Sequence, residues 1–367
     1  MIRIAVVGAG KMGLSHHALV NAHPDAQLVA VCDASRYVLS VLEKYTGVRT
    51  YTDFDTMIAE AQLDAIVIAT PSKTHARMVR AAVQRGLDVF CEKPFTLDPE
   101  DALVLAAASA EKKLVTQVGY HNRFVGTFRE VRRLLDSGAV GQVSHILAEA
   151  YGPVILKQSS STWRSKSSEG GGCLYEYASH PLNLVNWYLG EPIGVGGSAL
   201  TRIFSRETED QVFSTLYFAD GRTAQLCVNW SDESYRKMTT RITIAGAAGR
   251  IFADRQECQT YLRPNAPAIP GYEPGWNTRY TTELTPPVWF YLRGEEYSEQ
   301  IAYFIDSVKR RRVGGINDFR SAAVTDVGLA MIAADASKMP ATLSSGTAEE
   351  IVHAGRRRRW RPRLLRR

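Results

Sequence analysis

Residues 1–13, MIRIAVVGAGKMG, decide the fold. Residues 2–7 are an unbroken apolar run of the kind that forms a strand buried on both faces. The run ends in Gly8-Ala9-Gly10-Lys11-Met12-Gly13, and residues 11–22 read as a helix. GxGxxG spacing between a strand and a helix gives each glycine a task. Gly8 permits the tight turn, Gly10 lets backbone approach a pyrophosphate, and Gly13 lets helix and strand pack closely. The helix N-terminus then offers N–H donors and positive dipole to phosphates. Asp33, with Ala34 behind it, stands 20 residues past Gly13 at the end of the next apolar run. An acid there accepts from the ribose hydroxyls of a dinucleotide. It also repels a 2′-phosphate, by about 4 kcal/mol for unit charges roughly 4 Å apart at an effective dielectric near 20. NAD is therefore preferred over NADP, and Arg36 leaves NADP open.

The same beat continues outward. Strand-like runs at 27–32, 50–51, 64–69, 88–92 and 114–118 alternate with helical segments at 38–45, 53–61, 72–85 and 98–111. Asp53, Asp98 and either Ser72 or Thr74 are the expected helix caps. The pattern is α/β, a doubly wound Rossmann sheet over residues 1–121. After Gly119 the rhythm changes. A helix at 125–137 and a strand at 143–151 precede three glycines, 170–172, that open into a helix at 174–189. Strand-like runs follow at 194–206, 211–218, 223–230, 239–244 and 250–253, with an Asp-Gly hairpin turn inside 218–223. This predicts a second, α+β domain over 122–340 with a large, mainly antiparallel, open-faced sheet. Residues 264–287 hold six of the 15 prolines and read as irregular loop. Helices at 295–312 and 319–338 are placed to pack back on the first domain.

The chain of 367 residues carries 44 Lys+Arg against 38 Asp+Glu, a formal charge of +6. Residues 356–367, RRRRWRPRLLRR, contribute eight Arg and no acid, so residues 1–355 carry 36 against 38, or −2. A basic nucleic-acid-binding face is thus disfavoured, and residues 341–367 read as a flexible Arg-rich tail. No apolar run approaches the length of a membrane span. Five Cys without a CxxC pair point to reduced thiols in a cytoplasmic protein and away from a structural zinc site.

Ligands of such sheets bind outside the carboxyl ends of the strands. That places Thr70-Pro71 and Glu92-Lys93-Pro94 at a cofactor crevice. Lys93 is a candidate to bond a hydroxyl being oxidised, with Glu92 holding its ammonium. His75 reads as a helix-start residue below the cofactor. Glu176 and His180, four apart on a predicted helix, share a face, so the carboxylate would orient the imidazole and raise its basicity. Asn183 continues that face. Asn122 and Arg123, in the segment YHNRF at 120–124, and Trp163-Arg164 are candidates to contact substrate. His16, His17 and His23 lack metal-ligand spacing, and no metal is expected.

With these motifs in order, the chain resembles the Gfo/Idh/MocA oxidoreductases over roughly residues 1–340. Glu92-Lys93-Pro94 after a Rossmann half is the most specific mark. The resemblance implies an NAD(P) domain, an open sheet that builds a homodimer or homotetramer, and hydride transfer between nicotinamide and a sugar or polyol carbon. It assigns catalysis to Lys93 and His180, with Glu176 where the family usually has Asp and Asn183 where a second acid is frequent. Two alternatives remain open. One is a nucleotide-sugar or sugar-phosphate dehydrogenase that uses Lys157, Arg164 and Lys166. The other is a non-catalytic NAD-responsive regulator.

Overall fold

The computed structural model describes residues 1–154 and 163–338. The Arg-rich tail and Lys157 lie outside the described residues, as does the side chain of Trp163. Among the described residues no helix is long and apolar enough to cross a membrane.

Six strands form the first sheet: β1 (Ile2–Val7), β2 (Ala26–Cys32), β3 (Arg49–Tyr51), β4 (Ala65–Ile68), β5 (Asp88–Cys91) and β6 (Thr116–Val118). All pairings are parallel, in the order β3-β2-β1-β4-β5-β6. The order reverses between β1 and β4, which opens a crevice at their carboxyl ends. Ile4, Val6, Ile66 and Val67 are fully buried, as expected for strands covered on both faces.

Eight strands form the second sheet: β7 (Val143–Tyr151), β8 (Gly194–Thr201), β9 (Gln211–Tyr217), β10 (Thr223–Asn229), β11 (Arg241–Gly246), β12 (Gly249–Ala253), β13 (Glu257–Leu262) and β14 (Gly275–Tyr280). Their order is β14-β13-β12-β11-β7-β10-β9-β8, antiparallel except where β7 pairs with β10. One face packs on the helices Gly126–Asp136 and Ser179–Leu189 through Ile146, Ala148, Val212, Leu216 and Leu226. The alternate positions Phe213, Tyr217 and Tyr261 are exposed on the other face.

Two strands depart from the sequence reading. β13 alternates in burial but puts the polar Thr260 inside and Tyr261 outside, and β14 lies inside the proline-rich stretch read as loop, followed by a helical turn at Thr281–Leu284. As an edge strand, β14 buries none of its residues fully, so it has no apolar run to announce it.

The last two helices bind the layers together. Helix Glu295–Lys309 sends Ile301, Phe304 and Ile305 into the core formed by Ile4, Val6 and Phe90. Helix Phe319–Ala336 contributes Phe319, Ala322 and Ala323 to the first-sheet core, and Leu329 and Ile332 to the second. One helix thus contributes to the cores of both sheets.

Candidate active site

The glycine turn is built as its sequence requires. Gly8 has φ +94°, and a Cβ there would lie 2.5 Å from the carbonyl oxygen of Ala69. A Cβ on Gly13 would sit 1.7 Å from the oxygen of Gly8, so helix Lys11–Ala22 contacts the strand end directly. Gly10 differs: a Cβ there would meet nothing within 4 Å. Gly10 caps the helix with no side-chain hydrogen bond, and the first turn carries no acid. Its N–H donors therefore face open space beside a backbone that a ligand can approach, which fits a dinucleotide pyrophosphate. Lys11 is exposed and Met12 half-buried at the same turn.

Asp33 is half-buried at the end of β2. Its Oδ2 accepts from Ala9 N at 2.6 Å and its Oδ1 from Ser35 N at 2.7 Å. The carboxylate ties the glycine turn to the end of the second strand. Ala34 beside it is exposed.

At the neighbouring strand ends Thr70 is half-buried and Pro71 exposed. The Thr70 and Thr74 hydroxyls bond each other at 2.7 Å, and neither Ser72 nor Thr74 caps the following helix through its side chain. His75 is fully enclosed, with Nδ1 2.8 Å from the Pro94 oxygen and Nε2 3.0 Å from the Thr70 oxygen. Burial pushes its pKa down, against the pull of those carbonyls. It braces the turns after β4 and β5 from beneath.

Glu92 departs from its expected role. Its Oε1 accepts from His16 Nε2 at 2.7 Å, and its Oε2 accepts from the Lys93 backbone N at 3.3 Å. The Lys93 ammonium turns instead to the second domain. Lys93 Nζ donates to Glu176 Oε1 at 3.0 Å and to the Glu176 carbonyl at 3.2 Å. Arg164 Nε donates to the other carboxylate oxygen, Oε2, at 2.9 Å. Burial alone would raise the Glu176 pKa, but Lys93 and Arg164 overcome it and hold the carboxyl below its usual range.

The pairing of Glu176 with His180 is also corrected. Residues Leu174–Ala178 form a π-helical turn that passes into helix Ser179–Leu189. The Glu176 carboxylate turns to the cations beside it rather than to His180. Both carboxylate oxygens go to cations, and the buried His180 Nδ1 has no hydrogen-bond partner. Burial, then Lys93, His121 and Arg255, push the His180 pKa well below its ordinary value. Its basicity is lowered, and the ring is held neutral.

Asn122, Arg123 and Asn183 leave the crevice. The 3-10 turn His121–Phe124 points Asn122 and Arg123 inward, where they are 2 % and 4 % exposed. Arg123 Nε donates to Asn183 Oδ1 at 2.7 Å, and Nη2 donates to the Asn183 carbonyl at 3.0 Å. Asn183 Nδ2 donates to Thr325 at 3.1 Å, and Asn122 Nδ2 donates to Thr240 at 3.4 Å. These residues join elements behind the site. His121 and Tyr120 stand beside His180, with ring centroids 4.9 Å and 6.2 Å away.

His121 was one position away from the pair chosen from the sequence, and the turn that selects it has no periodicity to reveal it. Three more residues complete this corner: Tyr297, stacked on His121 at 4.7 Å, and the ion pair Arg255–Glu296. His16, read from the sequence only as lacking metal-ligand spacing, holds the Glu92 carboxylate. Among the described residues no group of three or more His, Cys, Asp or Glu is placed to hold a metal.

Comparison with known proteins bears on this geometry. The profile described as "Oxidoreductase family, NAD-binding Rossmann fold" matches residues 2–120, and the GFO/IDH/MocA C-terminal domain matches residues 128–252. Inositol 2-dehydrogenase of Rhizobium meliloti is 29% identical over 260 residues, 70% of this chain and 76% of that protein. The scyllo-inositol 2-dehydrogenase (NAD(+)) of Bacillus subtilis is 24% identical over 93% of this chain and 96% of its own. GenD2 from gentamicin A biosynthesis, solved in complex with NAD, is 26% identical with a TM-score of 0.75, covering 92% of this chain and 95% of that one. Levoglucosan dehydrogenase with NADH shares the fold at a TM-score of 0.81 and 19% identity, covering 92% and 97%. With the glycine turn, the Glu92-Lys93-Pro94 segment and both domains matched, the chain belongs to the Gfo/Idh/MocA family of NAD-binding oxidoreductases.

Proposed function

We propose that this oxidoreductase oxidises a secondary hydroxyl of a sugar or polyol, with Lys93 and His180 as its catalytic residues and Glu176 as the group that fixes Lys93. The observation that carries this reading is the Lys93 ammonium, held by two acceptors of Glu176 in the neighbourhood of a neutral, buried imidazole. NAD, when bound against the glycine turn and Asp33, supplies the hydride acceptor. Lys93 donates a hydrogen bond to the substrate oxygen and stabilises the negative charge that grows there as the C–H bond breaks. His180 accepts the hydroxyl proton, because burial and the cations around it leave a nitrogen lone pair free at neutral pH. The polyol class is supported by the relatives named for inositol oxidation. Arg164, on which a phosphorylated or nucleotide-linked substrate would depend, is engaged by Glu176.

The reading extends to assembly and compartment. Phe213, Tyr217, Tyr261 and the 63 % exposed Trp276 lie on the second sheet or its edge strand. An aromatic surface of this kind suits a homo-oligomeric interface. All five cysteines are free, which suits a reducing cytoplasm.

The test is NAD reduction over a panel of inositols, alditols and free sugars, repeated with Lys93→Ala. A substrate should be found, and the variant should lose at least about a hundredfold in kcat while still binding NAD. Unchanged turnover in Lys93→Ala would remove Lys93 from the mechanism. Light scattering of the purified chain tests the oligomer, and a strict monomer contradicts it.

A further inference from the structure

We propose that His121 is a second substrate-facing imidazole, held by Arg255 as the Nδ1–H tautomer, and that it donates to a hydroxyl oxygen next to the one oxidised at His180. The inference rests on the polyol reading above and assigns a group that reading leaves unused.

The ring is fixed from several sides. Its face stacks on Tyr297, with centroids 4.7 Å apart and planes at 21°. His180 lies edge-on at 4.9 Å and 63°. Arg255 Nη1 lies 3.2 Å from His121 Nε2. A guanidinium has N–H donors and no lone pair, so the ring nitrogen facing it must accept. Nε2 is therefore bare, and a neutral ring carries its one proton on Nδ1. Arg255 is itself held by the side chain of Glu296, which is only 6% exposed. The guanidinium thus has a fixed direction.

A proton on Nε2 would confront an N–H with another N–H. The wider surroundings also oppose it. Burial disfavours the cation most, followed by Arg255, Lys93 and Arg293. Among the described residues, the charged and titratable groups around the ring are these three cations, Glu296 behind Arg255, Tyr297 and His180. The result is an imidazole of one polarity, donor at Nδ1 only, touching the ring that takes the reaction's proton. A polyol differs from a simple alcohol in carrying a hydroxyl on the adjacent carbon. A fixed donor beside His180 recognises that oxygen and selects for a vicinal diol.

The first experiment reads the tautomer with no substrate needed. ¹⁵N spectra of histidine-labelled chain with NAD present, near neutral pH, should show His121 with a protonated Nδ1 and a bare Nε2. Arg255→Met should populate the other tautomer. A wild-type ring that is cationic, or protonated at Nε2, overturns the proposal.

The second experiment compares His121→Phe, which keeps the stacking and loses the donor, with His121→Asn, whose amide nitrogen falls near the Nδ1 position. The substrate is myo-inositol, or the panel member oxidised fastest. His121→Phe should lose roughly tenfold in kcat/KM, mostly through KM, and His121→Asn should recover most of that loss. With the corresponding deoxy polyol, lacking the adjacent hydroxyl, His121→Phe and wild type should become equal. Equal losses in both variants, or a His121→Phe defect that persists on the deoxy polyol, overturn the donor role. Circular dichroism of each variant identifies a folding failure, and the His121→Asn comparison then decides. If wild type reduces NAD with no panel member, the polyol reading falls and takes the donor role with it. The spectrum still decides the tautomer.

Discussion

Lys93 Nζ and Glu176 Oε1 are 3.0 Å apart, although 83 positions separate the two residues in the chain. The bond crosses from the end of β5 to the π-helical turn of the second domain, so the two domains together make the site. The Glu176 carbonyl takes a second bond from the same ammonium, and Arg164 occupies the other carboxylate oxygen. Lys93 is thereby denied most of the rotamers open to a free lysine. That pre-orders the donor the reaction needs.

Glu176→Gln tests this relationship. The amide keeps the shape and loses the charge shared between two cations. We expect kcat to fall about 10- to 100-fold with NAD affinity within about twofold, and stability to fall by about 1–3 kcal/mol. Steady-state kinetics and a urea titration check it. Unchanged kcat would show that Lys93 needs no such hold.

The glycine turn makes a sharper contrast. Gly10→Ala adds a methyl into open space, so folding should be nearly unaffected while NAD binding weakens by about tenfold or more. Gly13→Ala places a methyl 1.7 Å from the Gly8 oxygen and should fail to give stable protein. Thermal melts with and without NAD separate the two outcomes. Full NAD affinity in Gly10→Ala would place the pyrophosphate elsewhere.

Imidazoles whose pKa is lowered contribute to acid stability, three of them at the crevice. His75, His121 and His180 all have pKa values below the ordinary 6.5, chiefly through burial. Below about 6.5 the unfolded chain takes up protons that the folded chain refuses. Stability should therefore be fully present above that pH and decline as pH falls. The slope is up to about 1.4 kcal/mol per pH unit for each imidazole. Urea unfolding between roughly neutral pH and pH ~5 measures it. A stability that rises on acidification contradicts the assignment of these rings as neutral.

Asp326 works in the opposite direction. It accepts from Thr96 N at 2.8 Å and Thr96 Oγ1 at 3.3 Å, bracing the loop that carries Lys93, and burial raises its pKa to about 8. A raised folded-state pKa means a contribution complete below the ordinary 3.8 and lost as pH rises toward 8. Asp326→Asn keeps a carbonyl for Thr96 and cannot ionise. Its stability relative to wild type should climb across that window, by up to about 1.4 kcal/mol per pH unit. Parallel pH curves for the two proteins would show that Asp326 is already ionised.

Much of the scaffold was legible because its signals are local. The strand at residues 2–7, the glycine turn and helix 11–22 each follow from neighbouring residues, and Asp53 and Asp98 cap the helices they precede. The site was legible as a set of residue types but not as a set of partners. Glu92 and Lys93 are adjacent, yet one turns to His16 and the other to Glu176. Glu176 is taken by Lys93 and Arg164 rather than by His180, and His121, not Arg123, stands beside His180. Both outcomes are set by partners distant in sequence, which local spacing does not carry. Arg255 meets His121 across 134 positions, and Glu296 holds Arg255 across 41 more.

The most direct test of the central claim is the formation of NADH from NAD and a polyol by the wild-type chain beside Lys93→Ala and His180→Ala. The account predicts turnover by wild type and losses of at least about a hundredfold in kcat for each variant, with NAD still bound. Equal turnover by all three proteins would contradict it.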